Sequence, residues 1–502
     1  MKLFPDQQQF LQLARKHSLI PVYCDLAIDL ETPVSLYYKI VGDKPGFMLE
    51  SADTSKNFGR YSFIGAEPFL TIKAHKQGLE LIGDNGAESV RQEPLQALQA
   101  LLNRFSFADI PGLPPFSGGA VGYLSFELVA TWERIRGLNV REDMILAEFM
   151  CCRLIIAMDH LTHSAKLIYL AEIPDSAAKT DLPPVPPSSV DQLCQIYQQA
   201  AARIAEISKT LQNPLQLPPA DSLAQNDPPQ QDKDETTRRN YIDNVLKAKE
   251  YIAAGDIFQV VLSHPFRRPL SEKPFALYRR LRRINPSPYM FFINYGLRQL
   301  VGASPEMLVK LKAGEVFTCP IAGTRPRGKT PAEDASLAAE LLADEKERAE
   351  HAMLVDLGRN DIGRISLPGT VKVTKMMEVE NFSHVMHIVS EVSGKLDPRY
   401  AATDALKACF PAGTVSGAPK IRAMEIINEL EPERRGPYAG AVGYFDFRGN
   451  MDTCITIRTF SVNGDEVTIQ TGAGIVADSD PESEYQEIHH KAKVLFQVLG
   501  GK

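Results

Sequence analysis

The sequence predicts an α/β protein of the α+β type, with mixed, largely antiparallel sheets packed together and helices on the outside. Three observations support this fold class. Short runs of alternating apolar residues are joined by turn residues at 76–78, 448–450 and 463–465, which is typical of antiparallel hairpins. Longer segments with apolar residues at helical spacing stand between these runs. The hydrophobic fraction of 44% and the charged fraction of 23% are those of a globular chain with a large core.

Proline-rich segments mark the predicted domain boundary. The length of 502 residues allows about three domains. Residues 181–236 are polar and rich in proline, apart from helical spacing at 190–211, so they are predicted to be a linker with one helix. An N-terminal domain would then cover residues 1–180, and a C-terminal domain would cover residues 237–502.

The predicted elements follow in order along the chain. Residues 45–130 contain mostly short strands and turns, and two further strands pair as a hairpin before the linker. The C-terminal half opens with a helix at about 237–254. Strands and helices then alternate, and a long helix is predicted at 344–365, where no glycine or proline occurs before Gly358.

The last part of the chain is predicted to contain a helix at 419–430, three strands and a final helix. Ser479 and Glu482 have the spacing of a capping box at the start of that final helix. Arg458 lies within the apolar strand CITIRTF. An arginine in the middle of such a strand normally needs an anionic partner.

Charge and cysteine content exclude several classes of protein. The formal net charge of −7 argues against binding to nucleic acid or to an anionic membrane surface. The N-terminus lacks the apolar core of a signal peptide, and no apolar run is long enough to span a bilayer. The seven cysteines include no CxxC pair, which favours a reduced, cytoplasmic protein.

Paired carboxylates on two predicted helices indicate a cation site. Glu347 and Glu350 continue the apolar stripe of the helix at 344–365. Glu484 and Glu487 repeat the same spacing near the C-terminus. Each pair could simply be solvated and complement its helix dipole. Two such helices together favour oxygen ligation of a hard cation such as Mg²⁺.

One motif match predicts a different class of protein. Residues 323–330, GTRPRGKT, satisfy the P-loop pattern of nucleotide-binding proteins. A phosphate cradle needs consecutive backbone N–H donors, however, and Pro326 and Pro331 each remove one. The only acidic candidate for a Mg²⁺-binding strand, at 353–356, has a helical pattern instead. The loop therefore suits another anionic ligand or is a solvated loop.

A small-residue loop at 410–420, FPAGTVSGAPK, runs into a predicted helix. Free N–H groups at such a helix start can bind a carboxylate or phosphate, although a tight turn before a proline-started helix explains the pattern equally well. His387 has no cysteine or acid at metal-ligand spacing near it, so zinc is not predicted there.

Seven motifs in one order resemble the chorismate-utilising enzymes, and within them the large subunits that form anthranilate. The resemblance covers nearly the whole chain and is weakest at 181–236. The motifs are PIAGTRPRG, EKERAEHAMLVDLGRND, FPAGTVSGAPK, GPYAGAVGYFD, TCITIRT, TGAGIV and ESEYQEIHHK.

The resemblance implies a Mg²⁺-dependent lyase that makes anthranilate and pyruvate from chorismate, the first step of tryptophan biosynthesis. Ammonia would come from a glutamine amidotransferase subunit, in an assembly of two large and two small subunits. L-tryptophan would be a feedback inhibitor. The alternatives are an aminodeoxychorismate synthase component and, from a different class, the P-loop protein.

The resemblance also implies roles for individual residues. Glu350 and Glu487 would bind Mg²⁺, with Glu347 and Glu484 as neighbours. Glu306 would be the general acid, and His387 would assist the loss of pyruvate. The implied substrate-binding residues are Gly323, Thr324, Tyr438, Arg458, Gly472, Ala473, Gly474 and Lys491.

Two positions distinguish the implied chemistry from that of relatives. Gln259 stands where water-using relatives carry a lysine that activates water, and a neutral amide cannot serve as that base. Ala322 stands where aminodeoxychorismate synthases carry a nucleophilic lysine. The residues therefore imply direct attack by ammonia.

The implied tryptophan site draws on both halves of the chain, so the N-terminal domain would be regulatory and the C-terminal domain catalytic. Without the resemblance, these positions would be ordinary loop and strand residues. They are Glu50, Ser51, Pro288, Tyr289, Met290 and Cys454.

Overall fold

Antiparallel strands form the centre of the structure and helices cover them. The computed structural model describes residues 1–51, 59–84, 86–174, 189–215, 235–381 and 385–500. Within these ranges, 21 strands are linked by antiparallel pairings into one continuous hydrogen-bonded network. The predicted fold class, mixed with largely antiparallel sheets and helices outside, is confirmed.

The described helices follow the chain in order. They are α1 (Gln7–Leu13), α2 (Pro33–Ile40), α3 (Pro94–Arg104), α4 (Val190–Leu211), α5 (Glu235–Ala253), α6 (Pro274–Ile284), α7 (Pro331–Ala343), α8 (Glu345–Gly363), α9 (Ala402–Cys409), α10 (Lys420–Leu430) and α11 (Pro481–Leu499), with short 3₁₀ helices at Phe126–Thr131 and Gly413–Val415.

The described strands alternate with these helices. They are β1 (Leu19–Ala27), β2 (Gly46–Glu50), β3 (Tyr61–His75), β4 (Gly78–Gly83), β5 (Gly86–Arg91), β6 (Gly119–Leu124), β7 (Ala147–Asp159), β8 (Ser164–Glu172), β9 (Gln259–Pro269), β10 (Tyr289–Asn294), β11 (Arg298–Ser304), β12 (Met307–Lys312), β13 (Glu315–Thr318), β14 (Ile321–Pro326), β15 (Lys372–Asn381), β16 (Val385–Lys395), β17 (Gly417–Ala418), β18 (Ala441–Asp446), β19 (Met451–Ile455), β20 (Thr459–Asn463) and β21 (Glu466–Ile475).

Strands from the two halves of the sequence pair with each other. β2 lies beside β10, with Glu50 opposite Met290, and β6 lies beside β18, with Gly122 opposite Gly443. The core therefore runs across both halves rather than being divided between them. Two parts of the predicted linker, 181–188 and 216–234, lie outside the described residues, whereas the helix predicted at 190–211 is α4.

The acidic helix predicted at 344–365 is confirmed as α8. It begins after Asp344, whose carboxylate accepts hydrogen bonds from the backbone N–H groups of Lys346 and Glu347 at 3.1 and 3.2 Å. The helix packs against β14 and β16, while α11 packs against β21. Both helices therefore lie against strands that carry other predicted site residues.

The capping prediction for the final helix is wrong by one residue. Asp480, not Ser479, is the N-cap of α11, and its carboxylate accepts a hydrogen bond from the N–H of Ser483 at 2.9 Å. The Ser479 hydroxyl instead accepts from the N–H of Val476 at 3.1 Å. Because the Ser479 hydroxyl is hydrogen-bonded within the preceding turn, the side chain of Asp480 caps the helix.

The strand predicted through Arg458 is also wrong, because the chain breaks into two strands there. β19 pairs with β12 and β18, whereas β20 pairs with β11 and β21. Arg458 lies at the junction with φ of +50°. A residue in this left-handed conformation cannot continue a strand, so it turns the chain from one set of partners to the other.

Two global features complete the description. The seven cysteines are all free thiols. Among the described helices, none combines the length and the apolar content that a bilayer-spanning segment needs.

Candidate active site

Glu306 lies between β11 and β12 in an environment that favours its protonated form. The Thr414 hydroxyl donates a hydrogen bond to Glu306 Oε1 at 2.9 Å. Burial raises the pKa of the Glu306 carboxyl to about 7, although the Thr414 hydrogen bond and the charges of Arg458 and Lys491 act in the opposite direction. A carboxyl that is partly protonated near neutral pH can donate a proton to a leaving group.

Sequence reasoning did not identify Thr414 as part of this site. The sequence of the loop at 410–420 indicated backbone N–H groups as possible donors, whereas the donor in the structure is a side chain of this loop, the Thr414 hydroxyl. The only sequence signal was a hydroxyl residue within a small-residue loop. A small open cavity of about 50 Å³ adjoins Glu306 and Thr414.

Arg458 supplies positive charge without a bound protein anion. Burial lowers the pKa of its guanidinium, and the nearby Glu306 charge opposes that effect. Within the described ranges, no side chain or carbonyl forms a hydrogen bond or ion pair with this guanidinium. A partly buried arginine that lacks a protein partner among the described residues is the arrangement expected where an anionic ligand binds.

The glycine-rich end of β21 lies directly against two predicted site residues. A Cβ atom at Gly472 would lie 2.8 Å from the Tyr438 hydroxyl, and one at Gly474 would lie 2.7 Å from Gln259 Nε2. Lys491 Nζ donates to the Gly472 carbonyl at 3.0 Å. Only glycine permits these approaches, so β21 and both side chains form one surface.

His387 lies on β16 and faces the irregular part of β14 that contains Gly323 and Thr324. Its Nδ1 is 2.8 Å from the Gly323 carbonyl oxygen and 3.1 Å from the Thr324 hydroxyl. Because a carbonyl only accepts, Nδ1 carries the proton and the neutral ring has an acceptor at Nε2. Burial lowers the pKa of His387, which favours this neutral form.

Glu350 fits a cation site. Burial raises the pKa of its carboxyl, and the neighbouring Glu347 charge raises it further. Glu347 is paired with Arg325 at 3.4 Å, whereas the Glu350 carboxylate has no hydrogen-bond or ion-pair partner in the part of the chain that the structure describes. An unpaired carboxylate beside another acid is stabilised by a bound cation.

The second helix contributes Glu484 and Glu487, which share a helical border with Lys491. Lys491 lies 3.5 Å from Glu487, and its charge also lowers the pKa of Glu350, so both helices approach this lysine. No three His, Cys, Asp or Glu side chains within the described ranges are close enough to form a metal site by themselves. Mg²⁺ often takes only one or two protein carboxylates and completes its shell with water and substrate, so this donor set fits Mg²⁺.

The P-loop interpretation finds no support in the loop itself. The N–H of Gly328 donates to Asp334 at 2.7 Å, and the N–H of Lys329 donates to Glu333 at 2.6 Å. Arg327 is also paired with Asp334. The carboxylates of Asp334 and Glu333 in α7 therefore occupy the backbone N–H groups that would have to bind a phosphate.

The residues of the implied tryptophan site come together at the paired ends of β2 and β10. Glu50 is buried and accepts hydrogen bonds from Tyr278 and from Arg282, whose Nε lies 3.0 Å away. The adjacent Ser51 Oγ is buried and has no hydrogen-bond partner among the described residues. An unsatisfied buried hydroxyl is unusual, and a bound ligand would explain it.

The other four residues line the same end of the sheet. Met290 lies opposite Glu50, and Tyr289 lies opposite Ser304, whose side chain interacts with the Cys454 thiol. Pro288 precedes Tyr289 and is buried. The structure thus brings together residues that are up to 404 positions apart, from Glu50 to Cys454.

The chain resembles known proteins over almost its whole length. Residues 44–497 match the family described as chorismate binding enzyme. The chain is 42% identical to anthranilate synthase component 1 of Acetivibrio thermocellus, covering 99% of this chain and 98% of that protein. It is 44% identical to anthranilate synthase component 1 of Synechocystis sp., covering 99% of each chain.

Solved structures show the same fold. Anthranilate synthase component I from Streptococcus pneumoniae superposes with a TM-score of 0.72 at 38% identity, covering 87% of this chain and 92% of that chain. The menaquinone-specific isochorismate synthase MenF from Escherichia coli gives a TM-score of 0.69 at 20% identity, with 98% of each chain covered. The second likeness bears on the fold alone.

Proposed function

The chain belongs to the family of chorismate-binding enzymes, and from this premise we propose that it is the large, chorismate-converting subunit of an anthranilate synthase. One observation carries the proposal. Glu306, whose pKa burial raises to about 7, lies near Arg458, which has no hydrogen-bonded partner for its guanidinium within the described ranges. The carboxylate helices approach Lys491, whose charge acts on both Glu306 and Glu350. Such a pocket suits a dicarboxylate that loses a hydroxyl group.

Arg458 and Tyr438 would bind the enolpyruvyl carboxylate of chorismate. The guanidinium offers charge and several donors to a carboxylate, and the buried Tyr438 hydroxyl faces the glycine surface of β21. Gly323, Thr324 and residues 472–474 would line the ring. Lys491 would face the ring carboxylate, since it already reaches this surface through the Gly472 carbonyl.

Glu306 would be the general acid of the first step. Ammonia forms a bond to the ring carbon beside the ring carboxylate, the ring double bonds shift, and the bond to the ring hydroxyl breaks. Glu306 supplies the proton with which that hydroxyl leaves as water. Its raised pKa keeps this proton available near neutral pH.

His387 would act in the second step. Its unprotonated Nε2 would take the proton from the aminated ring carbon while the bond to the enolpyruvyl oxygen breaks. Enolpyruvate then leaves, its methylene carbon takes up a proton to give pyruvate, and the ring becomes aromatic. The Gly323 carbonyl supports this role because it holds the proton on Nδ1.

Glu350 and Glu487 would hold Mg²⁺, with Glu347 and Glu484 beside them. The bound ion would neutralise the ring carboxylate and orient it. The raised pKa of the unpaired Glu350 supports this assignment.

The proposed nucleophile is ammonia. Neutral Gln259 lies against Gly474 and cannot activate water as a lysine would. A separate glutamine amidotransferase subunit would deliver the ammonia, in a cytoplasmic assembly of two large and two small subunits, since no glutaminase motif was found in the sequence. Ammonium salts should replace that partner in the test tube.

The test is to incubate the purified chain with chorismate, Mg²⁺ and an ammonium salt and to separate the products by chromatography. Fluorescent anthranilate is expected as the main product. Isochorismate or aminodeoxychorismate in its place would reject the assignment. The same preparation should not bind ATP, and saturable binding that Lys329→Ala removes would restore the P-loop interpretation.

Ala322→Lys is expected to lower anthranilate formation by roughly tenfold or more, because a long cationic side chain would enter the space beside Gly323 where the ring lies. Ala322 pairs with Ile388 between β14 and β16, so its own position is well supported by the sheet. Ala322→Ser is the control, since it adds one atom and should retain activity. Full activity in the lysine variant would place the ring elsewhere.

We also propose that tryptophan binds at the site formed by Glu50, Ser51 and the end of β10. Ser51→Phe is expected to fill that site and to make activity insensitive to tryptophan while turnover changes little. Inhibition curves for the parent, Ser51→Ala and Ser51→Phe check this, with the alanine variant keeping the space for the ligand. Equal inhibition of the parent and the phenylalanine variant would contradict the proposal.

A further inference from the structure

The buried ion pair of Arg435 and Glu431 lies next to segments that form the pocket, and it has no role in the chemistry proposed above. Arg435 and Glu431 are four positions apart, just after the end of α10, and their side chains are 1% and 7% exposed. Arg435 Nε donates to Glu431 Oε2 at 2.8 Å, and Nη2 donates to Oε1 at 2.6 Å. The two charged groups therefore form a two-point contact out of reach of solvent.

The remaining donors of Arg435 reach two segments that build the pocket. Nη1 donates to the Val415 carbonyl and Nη2 to the Val261 carbonyl, each at 2.7 Å. Val415 directly follows Thr414, the hydrogen-bond donor of Glu306. Val261 lies on β9 opposite Gly474 of β21.

Arg435 also contacts a third part of the pocket. The Tyr438 ring lies with its centroid 5.6 Å from the guanidinium carbon, and the Phe126 ring lies at 4.7 Å. These distances permit cation–π contacts, which hold a ring in place. The segment with Thr414, the β9–β21 pair and Tyr438 thus meet at one guanidinium.

Glu127, from the N-terminal half of the chain, holds the backbone of the same residue. Its buried carboxylate accepts hydrogen bonds from the N–H groups of Arg435 and Gly436 at 2.7 and 3.1 Å. Glu431 is fixed as well, since it accepts from the backbone N–H of Ser263 at 2.8 Å. Both ends of the ion pair are therefore anchored.

Burying such a pair costs desolvation energy, and a well-packed apolar pair is often equally stable. Its geometry, in contrast, is hard to replace. A planar guanidinium directs several donors in fixed directions, which a lysine ammonium cannot do. The fixed geometry of the guanidinium lets Arg435 contact three segments at once: the segment with Thr414, the β9–β21 pair and Tyr438.

We propose that Arg435, held by Glu431, is a positioning residue that sets Thr414 against Glu306 and Tyr438 against β21 in the substrate-binding geometry. This inference rests on the proposed function, because it assigns a task within that same pocket. Arg435 itself touches no reacting atom.

Arg435→Lys in the full chain tests this inference, with Arg434→Lys as the matched control. Arg434 is exposed and donates to Asn428 and to the Asn139 carbonyl, away from the pocket. For Arg435→Lys we expect kcat/KM with chorismate to fall at least about tenfold. KM should rise and kcat should fall, because misplaced groups weaken both the binding of chorismate and its conversion. The control should stay within about twofold of the parent, as expected for a surface change.

The pH profile separates positioning from a general loss of stability. If the Thr414 hydrogen bond to Glu306 loosens, the charged carboxylate loses a donor and the pKa of Glu306 rises. The alkaline limb of the kcat profile should then move to higher pH in Arg435→Lys and not in Arg434→Lys. Calorimetric titration with chorismate, without ammonium, should show weaker binding in the same variant.

The outcomes distinguish the two levels of the proposal. An active parent whose Arg435→Lys variant matches Arg434→Lys in kcat/KM and pH profile overturns the inference alone. A parent that binds chorismate but forms another product rejects the proposed function, and the calorimetric comparison then decides the inference. A parent that does not bind chorismate rejects both. If Arg435→Lys does not fold, Glu431→Asp provides the same readouts with its charge kept, and failure of both variants to fold makes the pair structural and overturns the inference.

Discussion

Glu350→Gln and Glu487→Gln are each expected to abolish Mg²⁺-dependent anthranilate formation while the fold stays intact. The glutamine keeps the shape of the side chain and removes the charge that the cation needs. We expect a loss of at least about 100-fold at ordinary Mg²⁺ concentrations, because exchanges in the outer shell of metal sites already cost 10- to 100-fold. The free energy of unfolding should not fall for Glu350→Gln, since burial already disfavours its charged form.

Initial rates at several Mg²⁺ concentrations, together with circular dichroism and thermal unfolding, check this expectation. Glu345→Gln is the control because that carboxylate is exposed in the first turn of the same helix. It should leave both rate and stability unchanged. If either glutamine variant works normally at ordinary Mg²⁺, its carboxylate is not a ligand.

Glu306→Gln is expected to lower kcat by about 10²- to 10⁴-fold, the usual range for loss of a general acid. The parent should show the matching pH dependence. Protonated Glu306 is the active form, so activity should be present below its pKa and fall as the pH rises through about 7. The variant should lack this limb. An unaltered rate in Glu306→Gln, or a parent rate that does not fall between pH 6 and 9, would exclude the carboxyl as the acid.

Thr414→Val refines the same prediction. The Thr414 hydroxyl stabilises the charged carboxylate of Glu306, so its removal should raise the pKa and move the alkaline limb to higher pH. Thr414→Ser keeps a hydroxyl and should restore the parent profile. A limb that moves to lower pH in the valine variant would contradict the assigned hydrogen bond.

Much of the candidate site could be predicted because its signals are local. The carboxylate pairs were visible from helical spacing alone, since residues three apart share a face of a helix whatever surrounds it. The two prolines and the helical pattern at 353–356 argued against a P-loop before the structure showed carboxylates on its donors. The hairpin turns likewise predicted antiparallel pairing of neighbouring strands, and β20 and β21 pair in this way.

Predictions that needed distant partners were incomplete. Arg458 was predicted within one strand, because its neighbours are apolar and alternation continues past it. The break in the strand results from tertiary pairing, because β19 pairs with β12 whereas β20 pairs with β11. Ser479 was predicted as the cap from its spacing to Glu482, but its hydroxyl accepts a hydrogen bond from the N–H of Val476, and Asp480 caps the helix instead.

The sequence by itself determined the fold class, the acidic faces of α8 and α11, and the ordered motifs that identify the family, since periodicity, turn chemistry and residue order need no knowledge of the neighbours in space. Only the tertiary structure decided that Thr414 donates to Glu306 and that Arg435 contacts three segments of the pocket. It also decided that Arg458 has no hydrogen-bonded or ion-paired anion among the described residues. Glu306 and Thr414 are 108 positions apart. Such contacts depend on strand pairing and on burial that excludes water, and both arise only when distant segments pack.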